Sequence, residues 1–392
     1  MGSRLRGFVL SSVVLAALVI AGVGGSSTSS AKADKIVIAI SGPTAGAAAI
    51  NSALPLGTKA FLDWVGGVNG HSFEVNVLNN DSTAVGGVTT VRRHIQSNPD
   101  VLVINGSAAY AAAVSVLKTE APDLPTFVTA NAAVVARGGF KNAYGVNPNY
   151  ARECYFHAKY AKEKLKATNI AIVWQNDAVG QDVGKNCPNY AMKRQGITKV
   201  TSIPLANSTT DFGPIAAQIK ESGAQVVLVY AFAALLNGTQ KASQAVGVNS
   251  KWMTFSTNDI PYINLAGPLA EGVYIDQFLL PIDHENLQMK NFREQMTKRV
   301  GASSLSSLGA TGWTIGAIIT NAARKVTANG KPFTKEAFVA ELNKLKNKPL
   351  GAAESVTYVG KDHTTFVRSL SLFQVKNGKM VLVQKASPVP AN

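Results

Sequence analysis

The sequence predicts an α/β fold built on parallel sheets, in two successive series of strands and helices. Near-continuous apolar runs predict it first: Ile36-Val37-Ile38-Ala39-Ile40, Val101-Leu102-Val103-Ile104 and Ile170-Ala171-Ile172-Val173 lack the polar alternation of a half-exposed strand. Such runs suit strands covered on both faces. The second observation is that each run gives way to small and polar residues, then to a stretch with helical spacing. The third is that the pattern stops near residue 148 and starts again.

Before the first run lies a segment that reads as a targeting signal. Arg4 and Arg6 precede an apolar stretch over 8–23, and Ala31-Lys32-Ala33 has the small-x-small form of a cleavage site. The mature chain is therefore expected to begin at Asp34, exported and free of a lipid anchor, since no cysteine directly follows the apolar stretch at the cleavage site. Loss of 1–33 removes Arg4, Arg6 and Lys32, so the formal charge falls from +15 to +12 over the remaining 359 residues. That length exceeds one ordinary domain and points to two. The basic residues are dispersed, without the Arg-rich block or basic–aromatic interleaving of a nucleic-acid surface. No nucleic-acid partner is expected.

The opening strand runs into Ser41-Gly42-Pro43-Thr44-Ala45-Gly46. A helix over 54–65 leads to a strand over 73–78, and Asp81-Ser82-Thr83 is expected to cap a helix over 84–96. Val88, Val91 and Ile95 lie on one face of that helix. The strand over 101–104, a helix over 110–120 and a short strand over 126–128 complete the first series. Tyr144-Gly145-Val146-Asn147-Pro148 reads as an extended linker.

The second series begins with a helix over 150–166 and continues through strands over 169–174, 200–204, 226–230 and 252–255. A mostly helical section comes next over 286–345, with Thr334 as a cap and Glu336 in the first turn. The last feature is a strand pair around Asn377-Gly378, a strong hairpin signal. Cys154 and Cys187 lie in helices flanking one strand. In an exported chain the two are expected to pair.

The opening strand with Ser41 to Gly46, the Asp81 turn, Asp211-Phe212, Ala270-Glu271-Gly272-Val273-Tyr274 and Phe373-Gln374-Val375 occur in an order and spacing that resembles the type I periplasmic-binding-protein family. The leucine/isoleucine/valine-binding branch is the nearest in pattern. The resemblance covers 35–384. It implies two Rossmann-like lobes joined by three crossovers, lobe one being 34–146 with 278–357 and lobe two 147–277 with 358–392. It also implies a monomer that traps a small solute and delivers it to a membrane ABC permease, with no cofactor, no metal and no enzymatic activity. An exported sensor that presents its solute to a receptor is the alternative.

Carried over position by position, the resemblance puts ligand contacts in five loops. They are Ser107, Ala108 and Tyr110; Thr129, Ala130 and Asn131; Asn176 and Asp177; Tyr230 and Phe232; and Thr257, Asn258 and Asp259. A hydroxyl and free N–H groups at a helix start can hold a carboxylate. Several of these positions have a plain structural alternative: Ser107 as a helix cap, Tyr230 and Phe232 as sheet-end packing, Asp177 as the partner of a basic residue across the cleft. Trp313 stands where relatives carry a cleft aromatic, with a core role as its alternative. Amino-acid binders place an acid after the 252–255 strand, and here Asp259 is offset from that spot by about a residue. The small-sided rim Ala45-Gly46-Ala47-Ala48-Ala49 leaves room for a bulkier, more apolar solute. No G-x-S-x-G elbow, phosphate loop or H-E-x-x-H pair is present, and the five histidines are scattered.

Overall fold

The computed structural model describes residues 34–358 and 363–390, so the expected signal segment and its cleavage site lie outside the described residues. Six strands form the first sheet: β1 (Lys35–Gly42), β2 (Gly67–Val68), β3 (His71–Asn79), β4 (Val101–Asn105), β5 (Thr126–Thr129) and β6 (Ala143–Gly145), in the order β2-β3-β1-β4-β5-β6. All pairs but β2–β3 are parallel. The connecting helices are α1 (Ala53–Val65), α2 (Ala84–Gln96), α3 (Ser107–Glu120) and α4 (Ala132–Gly138). Complete burial of Ile36, Ile38 and Ile40 on one face of β1, and of Ala39 on the other, accounts for its unbroken apolar pattern.

The second series contains α5 (Tyr150–Glu163), β7 (Asn169–Gln175), α6 (Gln181–Gln195), β8 (Lys199–Leu205), α7 (Gly213–Ser222), β9 (Val226–Tyr230), α8 (Ala233–Ala245), β10 (Lys251–Thr254), α9 (Ile260–Ala266) and β11 (Tyr274–Gln277). Then come α10 (Leu287–Arg299), α11 (Ser307–Val326), α12 (Lys335–Leu342), the pair β12 (Lys348–Leu350) and β13 (Ala353–Val356), and the hairpin β14 (Ser369–Lys376) with β15 (Lys379–Pro388). The second sheet has the order β15-β14-β11-β10-β9-β7-β8; β14 joins it antiparallel to β11. Asn377 and Gly378 both have positive φ, as a two-residue hairpin turn of the favoured hand requires.

The section over 287–342 packs on the first sheet through α11 and α1. Here glycine is a matter of space: a Cβ on Gly312 would lie 2.0 Å from the Leu54 carbonyl oxygen, and one on Gly57 2.4 Å from that of Gly309. The two backbones approach closely enough for Thr58 Oγ1 to donate to the Gly312 carbonyl at 3.0 Å. Cys154 on α5 and Cys187 on α6 form a disulfide. Three expectations need correcting. The stretch around Tyr144 is an edge strand, β6, because a parallel neighbour in β5 takes up its backbone groups. Thr83, not Asp81, caps α2: its hydroxyl accepts from the Gly86 N–H at 2.9 Å, while Asp81 and Ser82 have positive φ in the preceding turn. The expected order of elements also lacks α4 and α9, which are only seven residues each and too short to show helical period.

Candidate functional site

In a parallel sheet the carboxyl ends of the strands gather where loops can present backbone and short polar groups. In the first sheet, Asn80 Nδ2 donates to Ser41 Oγ at 3.1 Å and to the Asn105 carbonyl at 3.0 Å, tying together the ends of β1, β3 and β4. Gly106, with φ 112°, takes the cap position of α3, so Ser107 is the first helical residue and makes no cap bond. Its hydroxyl instead accepts from the Asn131 N–H at 3.1 Å. Asn131 is the organiser of this rim. Its Oδ1 accepts from the N–H groups of Ala133 and Tyr150, and its Nδ2 donates to the Val179 carbonyl, in the turn between β7 and α6, at 3.2 Å.

The remaining positions on this side divide plainly. Thr129 Oγ1 accepts from Asn105 Nδ2, and Ala130 is fully buried. Ala108 is half-buried at the helix start. Tyr110 lies wholly within the core between the sheet and its helices, its buried hydroxyl without a protein partner and its ionisation pushed up by burial. That site suits packing, not a rim contact.

On the second sheet the reading of Asp177 as a partner across the cleft is overturned. Its carboxylate accepts from the Val179 N–H at 2.8 Å, Gln175 Nε2 at 2.7 Å and Asn207 Nδ2 at 2.8 Å, all belonging to its own lobe. The ion pair that does cross the rim joins Arg137 of α4 to Asp182 of α6, with Nη1 2.6 and 2.7 Å from the two carboxylate oxygens. Neither residue drew notice in the sequence, because an acid in the first turn of a helix is ordinary. Asn176 is exposed, with its N–H on the Leu205 carbonyl.

Tyr230 is fully buried at the end of β9, and its hydroxyl lies 2.6 Å from His157 Nδ1. With Nδ1 accepting, the imidazole proton sits on Nε2, which faces Asp276 Oδ1 at 3.1 Å. Ser256 donates to Glu153 Oε1 at 2.7 Å in the same buried cluster. Burial, and then the charge of Asp276, hold Glu153 well above the usual carboxylate range; burial likewise raises Asp276 and pushes His157 down to about 4. The expected ligand role of Tyr230 is corrected on this ground, since the only polar atom of its side chain is engaged with His157 in a fully buried place. Trp313 is core as well, packed against Phe61, Trp64 and Phe292.

The loop after β10 is different. Phe232, half-buried at the start of α8, has its ring 6.1 Å from that of Phe255. Asn258 Nδ2 donates to the Ala231 carbonyl and to Thr254 Oγ1, leaving Oδ1 unmatched. Thr257 Oγ1 has no partner. Asp259 Oδ2 accepts from the Ser307 N–H at 2.6 Å, at the start of α11, while Oδ1 is unmatched. Burial pushes its carboxyl up to about 7 in spite of the Ser307 hydrogen bond. An unmatched buried polar atom costs about 1–3 kcal/mol. Three such atoms follow one another in the loop after β10, at Thr257, Asn258 and Asp259.

Among the described residues no group of three or more His, Cys, Asp or Glu side chains is placed to hold a metal, and no helix is long and apolar enough to cross a membrane. Two parallel-sheet lobes with their strand-end loops brought rim to rim define the type I periplasmic binding fold. The family model described as periplasmic binding protein matches residues 35–379, and the chain belongs to that family. A Brucella abortus protein described as Leu/Ile/Val-binding protein homolog 4 is 25% identical over 279 residues, 68% of this chain and 66% of that protein. Among solved structures, a valine-bound branched-chain amino acid ABC transporter protein from Thermus thermophilus superposes with a TM-score of 0.80 at 15% identity, covering 91% of this chain and 97% of that one. A fatty acid ABC transporter substrate-binding protein from Thermomonospora curvata superposes with a TM-score of 0.79 at 16% identity, over 91% and 95% of the two chains.

Proposed function

We propose that this chain is an exported solute-binding protein that closes on a small solute and delivers it to a membrane ABC importer, without catalysing a reaction on it. Lobe one is taken as 34–146 with 278–357 and lobe two as 147–277 with 358–392, with the solute held between their strand-end loops. The observation that carries this reading is the run of unmatched polar atoms at Thr257, Asn258 and Asp259, together with the bonds by which Asn131 and Arg137 reach Val179 and α6 of the second series. The valine-bound and fatty-acid proteins of the same fold support a cleft that accepts solutes with a carboxylate and an apolar body.

The hydroxyls of Ser107 and Thr257 suit a carboxylate or carbonyl, and the ring of Phe232 suits an apolar body, at about 25 cal/mol per Å² buried. Asp259 is the one acid among the proposed contacts of the β10 loop, and half of its carboxylate already serves α11. An ammonium group therefore gains little more than one oxygen here. Carboxylated or carbonyl-bearing solutes with an aliphatic or aromatic body are expected to bind at least as well as leucine or valine. Thermal shift tests this, because a ligand at a hundred times its Kd adds about 2.7 kcal/mol. A strong shift with branched-chain amino acids and none with aromatic or aliphatic acids contradicts this solute class and makes Asp259 the ammonium partner.

A further inference from the structure

A pocket of about 300 Å³ opens on the helical face of lobe one, among α1, α10 and α11, lined by none of the strand-end residues proposed to hold the solute. One wall is aromatic. Trp64 stacks on Trp313 with centroids 5.4 Å apart, and Phe61 meets both edge to face at 5.6 and 4.7 Å. Trp313 is buried, whereas Trp64 is 37% exposed, so the wall continues from the core to the surface.

The character changes along α11. Trp313 and Ala317 are apolar; Thr320, Asn321 and Arg324 come next on the same side of the helix, and all five line the pocket. Thr320 is 4% exposed, and its hydroxyl has no partner. Its sister threonines behave otherwise: Thr311, Thr314 and Thr327 each donate to the carbonyl four residues back, at 2.7, 2.8 and 2.9 Å. Asn321 Nδ2 is also unmatched. Arg324 makes no ion pair among the described residues, and no acidic side chain lines the pocket. Three donor groups, one of them cationic, thus lie at the polar end of an aromatic wall.

We propose that this pocket is a second binding site, for a small aromatic monocarboxylate, with its ring against Trp64 and Phe61 and its carboxylate at Arg324, Thr320 and Asn321. The volume is at the small end for ligand pockets and suits one ring or two fused rings. A guanidinium beside two neutral donors recognises a carboxylate by charge-assisted hydrogen bonds. A purely apolar occupant leaves the two buried groups unmatched, and a cationic one meets Arg324.

The test uses indole-3-acetate, with neutral indole as control, on the full chain labelled with 5-fluorotryptophan. Fluorine spectra report Trp64, Trp174, Trp252 and Trp313 separately. Indole-3-acetate is expected to move the Trp64 and Trp313 signals and leave Trp174 and Trp252 unmoved. Arg324→Gln, at an exposed position, should weaken indole-3-acetate about tenfold and indole hardly at all; Thr320→Val should weaken it by a smaller factor. No movement at millimolar probe, movement confined to Trp174 or Trp252, or an affinity unchanged by Arg324→Gln overturns the proposal. A failure of the cleft reading shows instead in the thermal-shift panel repeated on Arg324→Gln, where the pocket's contribution is removed and any shift that remains belongs to the cleft.

Discussion

Asp259 joins two jobs at one side chain. One oxygen holds the first N–H of α11, and the other is left without a partner in a fully buried place. Its carboxyl has an ordinary value of 3.8 and rises to about 7 in the folded chain, so between those values the folded state holds a proton that the unfolded state has released. Stability from this residue therefore increases as pH falls through about 7 and is fully gained near 3.8. His157 acts in the opposite sense, because burial keeps it neutral below its ordinary 6.5. A comparison with Asp259→Asn cancels that background. In urea unfolding of solute-free protein, the stability of wild type relative to Asp259→Asn should grow as the pH is lowered from 7 toward 4. Parallel curves for the two proteins would show that Asp259 does not carry a raised carboxyl. The sequence placed an acid in this loop but did not reveal that α11, some fifty residues on, takes one of its oxygens. Likewise Tyr230 reads as a strand-end aromatic, and only its long-range partner His157 shows that its hydroxyl faces the core.

At the scale of elements, the contact of α1 with α11 shows why small residues recur around Trp313. Gly312 leaves room for the Leu54 carbonyl, and Gly316 for the ring of Phe61. Gly312→Ala places a methyl 2.0 Å from that carbonyl oxygen, and a backbone cannot swing aside as a flexible side chain does. Chemical denaturation should show a loss of about 1–3 kcal/mol or more, the usual cost of overpacking. An unchanged midpoint would mean that the helices are not in such close contact. Elements in which pattern and burial agree were legible: β1, β4 and β9 are apolar runs buried along most of their length, and Thr334 caps α12 as expected. Three short elements, β6, α4 and α9, were not. β6 depends on its neighbour β5, and α4 owes its start to Asn131, whose other bonds reach residues far away in the chain.

For the whole molecule, the alternation of strands, polar loops and helices made two sheets legible, and the family match agrees with them. The contacts that bring the rims together were not legible, since Asn131 with Val179 and Arg137 with Asp182 pair residues separated by 48 and 45 positions. Under the proposed function the two lobes work as a hinge, and a solute that touches both favours the closed arrangement. Small-angle scattering tests this most directly. The protein is stripped by unfolding and refolding, then measured before and after its own producing cells' small-molecule extract is added back. The account predicts a smaller radius of gyration with the extract; a radius that stays the same while the extract raises the melting temperature would contradict closure around a solute.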